Sequence, residues 1–387
     1  MDVSHLDHIL DQLPDRRVNV YGTGTQRTVM GSYIEAARDL GIPHQVARDD
    51  RGRRYVRLLR QDGSHLGDIE PVLLPGCSRA TRSICNNKIT TASVLSAGGI
   101  RTPFTAIYGA DEVERAYVEA FADASQVVIK ARALTLGRGV YLNVTKSNFR
   151  EHFAACVDKQ KQVRRANILV QEMVPGFEMR ATVVEGELDN VLVRIPAYVV
   201  GDGSSTIDNL IDAKNERRSR CAYFGSKPIV RDHNLRSYMR AYGIDGSSIP
   251  RDGERVLLSS ISNAFYGGET ALVTDLVSPQ IKDTALRAVA AVPGLRTAGV
   301  DIMAESFDSA SPMVLELNSF PHAQLSIYPY FGRGTNPLSR FLRAIYAEDA
   351  MLRGTKDEVA EEDQHFLDSY QRFYDLKSDS APGSIPH

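Results

Sequence analysis

Gly299-Val300-Asp301-Ile302-Met303 and, after one short connection, Val314-Leu315-Glu316-Leu317-Asn318 carry the fold of this chain. Both segments have the apolar character of buried strands, and the side-chain period of two sets Glu316 and Asn318 on one face with Leu315 and Leu317 on the other. Two acids and an amide then converge on one pocket. Carboxylates and an amide carbonyl are hard oxygen ligands, of the kind Mg²⁺ takes while it also holds nucleotide phosphates. Strand capping or salt bridging would account for either acid alone, so the reading depends on what stands upstream.

Composition sets the outer limits. A chain of 387 residues, 43% hydrophobic and 24% charged, can bury a large core and is expected to divide into two or three domains. Its formal net charge of −2 leaves no global cationic field, so neither nucleic acid nor an anionic membrane is an expected partner. Met1-Asp2-Val3-Ser4-His5 has neither a basic nor an apolar leader character, and no apolar run approaches the about 18 residues of a membrane span, which makes the expected location cytoplasmic. Cys77, Cys85, Cys156 and Cys221 form no CxxC pair and are too sparse for a disulfide framework, so they read as packing residues.

Upstream, the strand-like Val18-Asn19-Val20-Tyr21 leads into Gly22-Thr23-Gly24 and a helical pattern through Ile34, Ala37 and Leu40 that stops at Gly41. Arg27 stands where a dinucleotide-binding turn would have its third glycine, and no acid closes a strand near Gln45-Val46-Ala47, which argues against a dinucleotide site. Residues 1–85 are instead expected to form a small α/β lead-in whose Gly22 to Gly24 turn can line a substrate pocket. A second unit opens at Asn87-Lys88, with a helix through Ala92, Leu95 and Ala97 that ends at Gly98-Gly99 before Pro103. Its expected divisions are 86–171 and 172–347. Residues 348–387 are expected to hold a helix over about 357 to 376 and a frayed tail from Asp379 to His387.

The strand Gln126-Val127-Val128-Ile129-Lys130 runs into Ala131 to Gly139, and a second strand, Val140 to Val144, follows at once. Phosphate loops of the Walker or Rossmann kind must feed a helix N-terminus, so a glycine loop between two strands is neither. Gly137 and Gly139 suit a hairpin flap over a triphosphate, with backbone N–H groups and Arg138 exposed to it and Lys130 beneath. A solvated lysine and an ordinary turn are the plainer alternatives. Next come the strand Ile168-Leu169-Val170-Gln171, the segment Glu172 to Arg180 with Pro175-Gly176 and Glu178-Met179-Arg180, and the strand Ala181 to Val184.

Lysine strand, glycine flap, acidic hinge, Glu-x-Arg, then Asp and Glu-x-Asn is an order of parts that resembles the ATP-grasp superfamily. Within it the chain most resembles the ATP-grasp domain of cyanophycin synthetase and of the bifunctional bacterial glutathione synthetases. Three further stretches carry that likeness: Arg194 to Ile207; Leu210-Ile211 with Asn215 and Arg218; and Asn263 with Gly267-Gly268 and Val273-Thr274-Asp275. The match covers residues 86 to 347, and without a Mur-ligase-like domain after it a complete cyanophycin synthetase is not expected. The resemblance implies an α+β / α/β class, with two α+β subdomains gripping ATP behind the lead-in. It implies that Lys88 and Lys130 bind phosphates under the Gly137-Arg138-Gly139 loop, that Gln171, Glu172 and Val174 meet the adenine, and that Glu178 holds the ribose. Asp301, Glu316 and Asn318 would carry Mg²⁺, two ions, with Mn²⁺ able to substitute. Arg180 and Arg194 would meet the transferred phosphate, a demand that planar, always charged guanidinium groups suit. Asn215 and Asn263 are implied on the substrate side. On the residues alone, Ser205 and Asp208 form a capping box for a helix from Ile207 to Arg218, so Ser205 reads as structural.

Two positions depart from the pattern. Leu272 stands where the branch usually has an acid, and His322 where a glycine normally follows Asn-x-x-Pro, both on the acceptor side. Tyr328, Tyr330 and Arg333, just past Asn318, are candidates for substrate recognition together with His322; a packed aromatic corner is the competing account. The resemblance implies a carboxylate-amine ligase that joins small amino-acid-like substrates through an acyl phosphate, releasing ADP and phosphate, with no Ser-His-Asp or Cys-His nucleophile in view. A ligase acting on a peptide or carrier protein, docked at the basic stretch Lys159 to Arg165, and a non-catalytic nucleotide-binding module are the alternatives. A homo-oligomer is compatible with all three.

Overall fold

The computed structural model describes residues 1–19, 28–131, 139–160, 167–221, 223–320 and 322–380. The Gly22 to Gly24 turn, Arg27, Gly137, Arg138, the basic stretch beyond Gln160 and the tail beyond Ser380 lie outside them.

The chain opens with helix α1 (Val3–Gln12), capped by Asp2, whose Leu6, Ile9 and Leu10 are fully buried. Helix α2 (Val29–Asp39) follows, capped by Thr28, then an antiparallel meander of β1 (His44–Arg48), β2 (Arg54–Leu59) and β3 (His65–Ile69). Of the strand expected at Val18, the described part makes one bridge, to Phe331. Helices α3 (Arg79–Asn86) and α4 (Lys88–Ala97) come next; the Asn87 side chain caps α4, and the chain turns out of it through Gly98 and a left-handed Gly99.

Strands β4 (Thr105–Gly109), β5 (Val127–Ala131), β6 (Val140–Val144) and β7 (Asn167–Glu172) form an antiparallel sheet in the order β4-β7-β5-β6, backed by α5 (Val113–Ala120) and α6 (Phe149–Asp158). Valine and isoleucine dominate β5 and β7, as a sheet covered on one side requires. Strands β5 and β6, on either side of the segment with Gly137 and Gly139, pair antiparallel.

A second sheet holds β8 (Phe177–Val184), β9 (Glu187–Ile195), β12 (Glu269–Leu272), β13 (Ala298–Ala304) and β14 (Met313–Asn318), in the order β12-β9-β8-β13-β14. Between β9 and β12 the chain makes the ribbon of β10 (Tyr198–Val200) and β11 (Arg255–Leu257), with α7 (Ile207–Ser219) and α8 (His233–Ala241). Helices α9 (Pro279–Ala291), the short α10 (Gln324–Ile327), α11 (Pro337–Arg353) and α12 (Gln364–Ser380) complete the chain. The largest buried cluster joins α1 and α9 to the five-stranded sheet, and a second joins α2 and the first meander to α11.

Three local expectations need correction. The cap of α7 is Thr206, which accepts from Asn209 N–H, because Ser205 is drawn into the preceding turn by the Asp202 carboxylate. The last helix starts at Gln364 and not near 357, because residues 356–358 and 361–363 take single 3₁₀ turns, the second pinned to α11 by Arg343 on Asp363 at 2.6 Å. Strict alternation also fails in β14: Asp301 pairs with Glu316 but Ile302 with Val314, so Leu315 bulges out of register. It lines the same cavity as Glu316.

Candidate active site

The two larger sheets face each other across a cavity of about 370 Å³. Its apolar lining includes Val128, Val140, Leu142, Met173, Val174 and Leu315, a surface suited to a flat ring, and its charged lining is Lys88, Lys130, Glu178, Arg194, Asp301 and Glu316.

The charged lining follows from strand register. Arg180 on β8 lies opposite Asp301 on β13, and Asp301 lies opposite Glu316 on β14. Glu178, two residues before Arg180, falls on the same face. Two acids therefore stand side by side on β13 and β14, with Arg180 across from the first. Arg180 grips both oxygens of Asp301, the Nη2 contact at 2.7 Å; Arg194 pairs with Glu178 and reaches Asp301 at 3.6 Å; Lys88, at the start of α4, pairs with Glu316. Such pairs hold buried charge only where each member is answered. Burial pushes the Asp301 carboxyl up, against the pull of both guanidinium groups. For Glu316 burial acts the same way, but Lys88 reverses it and holds the group at about 2.

Lys130, half-buried near the end of β5, donates to Gln171 Oε1 at 2.8 Å, while Gln171 Nε2 donates to Thr105 Oγ1 at 3.0 Å. Burial, helped by the charge of Lys88, lowers its ammonium pKa to about 8. At the hinge, Glu172 N–H is spent on the Phe104 carbonyl and Met173 N–H on that of Gln126, so Glu172 can offer a base its carbonyl but not its amide. The Glu172 carboxylate also accepts from Phe104 N–H at 3.2 Å. Gly176 is left-handed in backbone, and a Cβ there would collide with the Ala304 carbonyl.

Asn318 donates to Glu316 Oε1 at 3.5 Å, which places the amide beside the two acids. Turning the amide about its last bond would present its oxygen. Among the described residues no group of three or more His, Cys, Asp or Glu could hold a metal, so a cation here depends on two carboxylates and an amide. Adjacent and hard, with Asp301 buried and Glu316 and Asn318 open on one side, that oxygen set fits Mg²⁺.

The expected substrate residues are dispersed. Asn215 spends both side-chain atoms on the backbone of Ile229, at 3.0 and 2.8 Å, and Asn263 caps the single turn at Ala264–Tyr266. His322 is an exposed residue that packs edge-on against Tyr223; the shielding of its ring and the nearby charges of Arg180, Lys227 and Arg194 lower its pKa. Tyr328 packs against the main core, and Arg333 is exposed. Gly139 carries a left-handed backbone and accepts from Ala131 N–H at its carbonyl. Pattern reading missed Ser260-Ile261-Ser262, where Ser262 donates to Glu178 Oε2 at 3.1 Å. The segment comes from far along the chain, and nothing local marks it.

This is an ATP-grasp fold, with a nucleotide-sized cavity between two sheets and the acids on the strands of one of them. No family model matches the chain. It is 28% identical over 282 residues to the glutathione biosynthesis bifunctional protein GshAB of Enterococcus faecalis, and 28% over 281 residues to that of Desulfotalea psychrophila, covering 68% and 70% of this chain. The chain spans only 36% and 35% of the length of those relatives. The crystal structure of a bifunctional glutathione synthetase from Pasteurella multocida superposes with a TM-score of 0.61 at 23% identity, over 82% of this chain and 43% of that one. That likeness bears on fold.

Proposed function

We propose that the protein is an ATP-dependent carboxylate-amine ligase that joins small amino-acid-like substrates through an acyl phosphate, with release of ADP and phosphate. The observation that carries this reading is the charged lining of the cavity, where Lys88, Lys130 and Arg194 stand with Asp301, Glu316 and Glu178, and where Arg180 grips Asp301 from the neighbouring strand. Phosphoryl transfer to a carboxylate needs positioning and charge neutralisation more than covalent help from the protein.

In this reading the adenine lies against Val128, Leu142 and Met173, with the Glu172 carbonyl, Val174 and Gln171 at its edge and Glu178 on the ribose. Lys88 and Lys130 take the phosphates under the Gly137-Arg138-Gly139 loop. Arg180 and Arg194 hold the acceptor carboxylate and the developing phosphate charge. Mg²⁺, or Mn²⁺ in its place, would be held by Asp301, Glu316 and Asn318 and would neutralise charge on the phosphates. Residues 86–171 and 172–347 form the two gripping halves, 1–85 the lead-in and 348–387 the closing segment. His322, Tyr328 and Arg333 recognise a substrate, while Asn215 and Asn263, expected beside them, are spent on backbone groups. We place the reaction in the cytoplasm; among the described residues no helix is long and apolar enough to cross a membrane.

Separation of the nucleotide products decides the reaction type. ADP with stoichiometric phosphate, formed only when a carboxylate and an amine are offered together, is the expected result; AMP and pyrophosphate would overturn it.

A further inference from the structure

A second cavity, of about 470 Å³, shares no lining residue with the first. Four cations line it, Arg16, Lys214, Arg217 and Arg255, over an apolar floor that includes Leu10 and Tyr330; among the described residues no acid does. Arg255 is answered from outside by Asp7 at 2.9 Å and Asp11 at 2.6 Å. Arg16 and Arg217 are exposed and make no ion pair among the described residues.

Beneath them the charge is unbalanced as well. Lys214 and Arg218 are both buried on the inner face of α7, and one carboxylate, Glu269, serves both, at 3.0 and 3.3 Å. Two cations against one acid leave a surplus of positive charge in a low-dielectric wall. Such a surplus is costly unless an anion completes it. Burial lowers the Lys214 pKa to about 8, although its ammonium also donates to the Tyr198 carbonyl at 2.9 Å and lies over the Tyr198 ring.

We propose that this cavity is a second ligand site, for a small molecule carrying at least two negative charges and an apolar body. Guanidinium groups at its mouth suit carboxylate or phosphate equally, so the shared chemistry is a polyanion. The site does not depend on the ligase reading. Tyr330 and Phe331, which form its inner wall, follow β14 and bond to β12 through Thr270 and Leu272, so an occupant would press on the segment that carries His322 and Arg333.

Titration calorimetry at low salt with ADP saturating the first cavity tests this, using citrate and inorganic phosphate as separate probes. One saturable site for at least one probe is expected. It should weaken at least about tenfold in Arg217→Glu, an exposed position, and stay unchanged in Arg51→Glu, an exposed position that lines neither cavity. If Arg217→Glu does not fold, Arg16→Glu reads the same loss. Binding of citrate alone assigns the site to polycarboxylates, and of phosphate to phosphate compounds. Binding of neither, displacement by ADP, or parental affinity in the charge-reversed variant would overturn the proposal.

Discussion

Asp301 and Glu316 face each other directly across β13 and β14, and each is answered by a different cation, Asp301 by Arg180 and Glu316 by Lys88. Two adjacent carboxylates repel unless counter-charge is built in around them. In the ligase reading the same cations turn to phosphate and acyl oxygens while the acids take Mg²⁺. The pairing seen here therefore keeps both sets formed and aimed before substrate arrives.

Glu316→Gln should cut turnover by about 10²-fold or more, since charge stabilisation of a transferring phosphate is worth several kcal/mol. Stability should change by no more than ~1 kcal/mol, because the Lys88–Glu316 pair is about a third exposed on both sides, 38% and 35%. Steady-state rates beside urea melts test this. A rate within a few-fold of the parent at saturating ATP and Mg²⁺ would remove Glu316 from the site.

The depressed pKa of Lys130 gives a pH signature. Its ammonium is fully present below its folded value of about 8 and is lost as pH rises through it. Phosphate oxygens favour the charged form, so ATP binding should be tightest below that pH and weaken above it. Lys130→Ala should bind more weakly overall and lack this limb. Dissociation constants for ATP measured at closely spaced pH values decide it, and an identical profile in the variant would show that another group titrates.

At the hinge, Gly176→Ala should destabilise the protein by roughly 1–3 kcal/mol, because its φ of +112° is strained for a side chain and Ala304 blocks the Cβ. The loss should extend to ATP affinity, since Val174 and Phe177 line the cavity on either side. Gly41→Ala provides the control: its φ is +64° and a Cβ there meets open space. It should cost stability alone, and equal loss of ATP affinity in both would place Gly176 outside the hinge role.

Much of this site could be seen in the chain itself. Apolar runs at 126–130, 168–171 and 299–303 fall on strands, and the acids on them converge because strand periodicity is rigid. The bulge at Leu315 could not be seen, since one extra residue leaves no mark in an apolar strand. Asn215 and Asn263 look like ligands in sequence because an amide's partners are tertiary. The buried cations were different: Ile207, Ile211, Lys214 and Arg218 recur at helical spacing on the inner face of α7, so the stripe itself carried two charges into the core. Their acid, Glu269, lies 51 residues beyond Arg218, out of reach of any local pattern.

The segment after β14, which the proposed function assigns to substrate recognition, is held against β12 at Leu272. Leu272 N–H donates to the Phe331 carbonyl at 3.0 Å, and a Cβ on Gly332, whose φ is +84°, would come within 3.0 Å of the Leu272 Cβ. The β12 backbone at Leu272 thus serves as a seat for the loop, whatever side chain stands there. Gly332→Ala should lift the loop from β12 and raise the KM of one substrate about tenfold, with a modest fall in melting temperature. Arg333→Ala, at an exposed position, should raise the same KM without changing stability, and KM for ATP should hold in both, the pattern of lost ground-state binding to one ligand. Equal weakening toward ATP and both substrates in Arg333→Ala would return that arginine to the solvated surface and leave Gly332 as a packing position only.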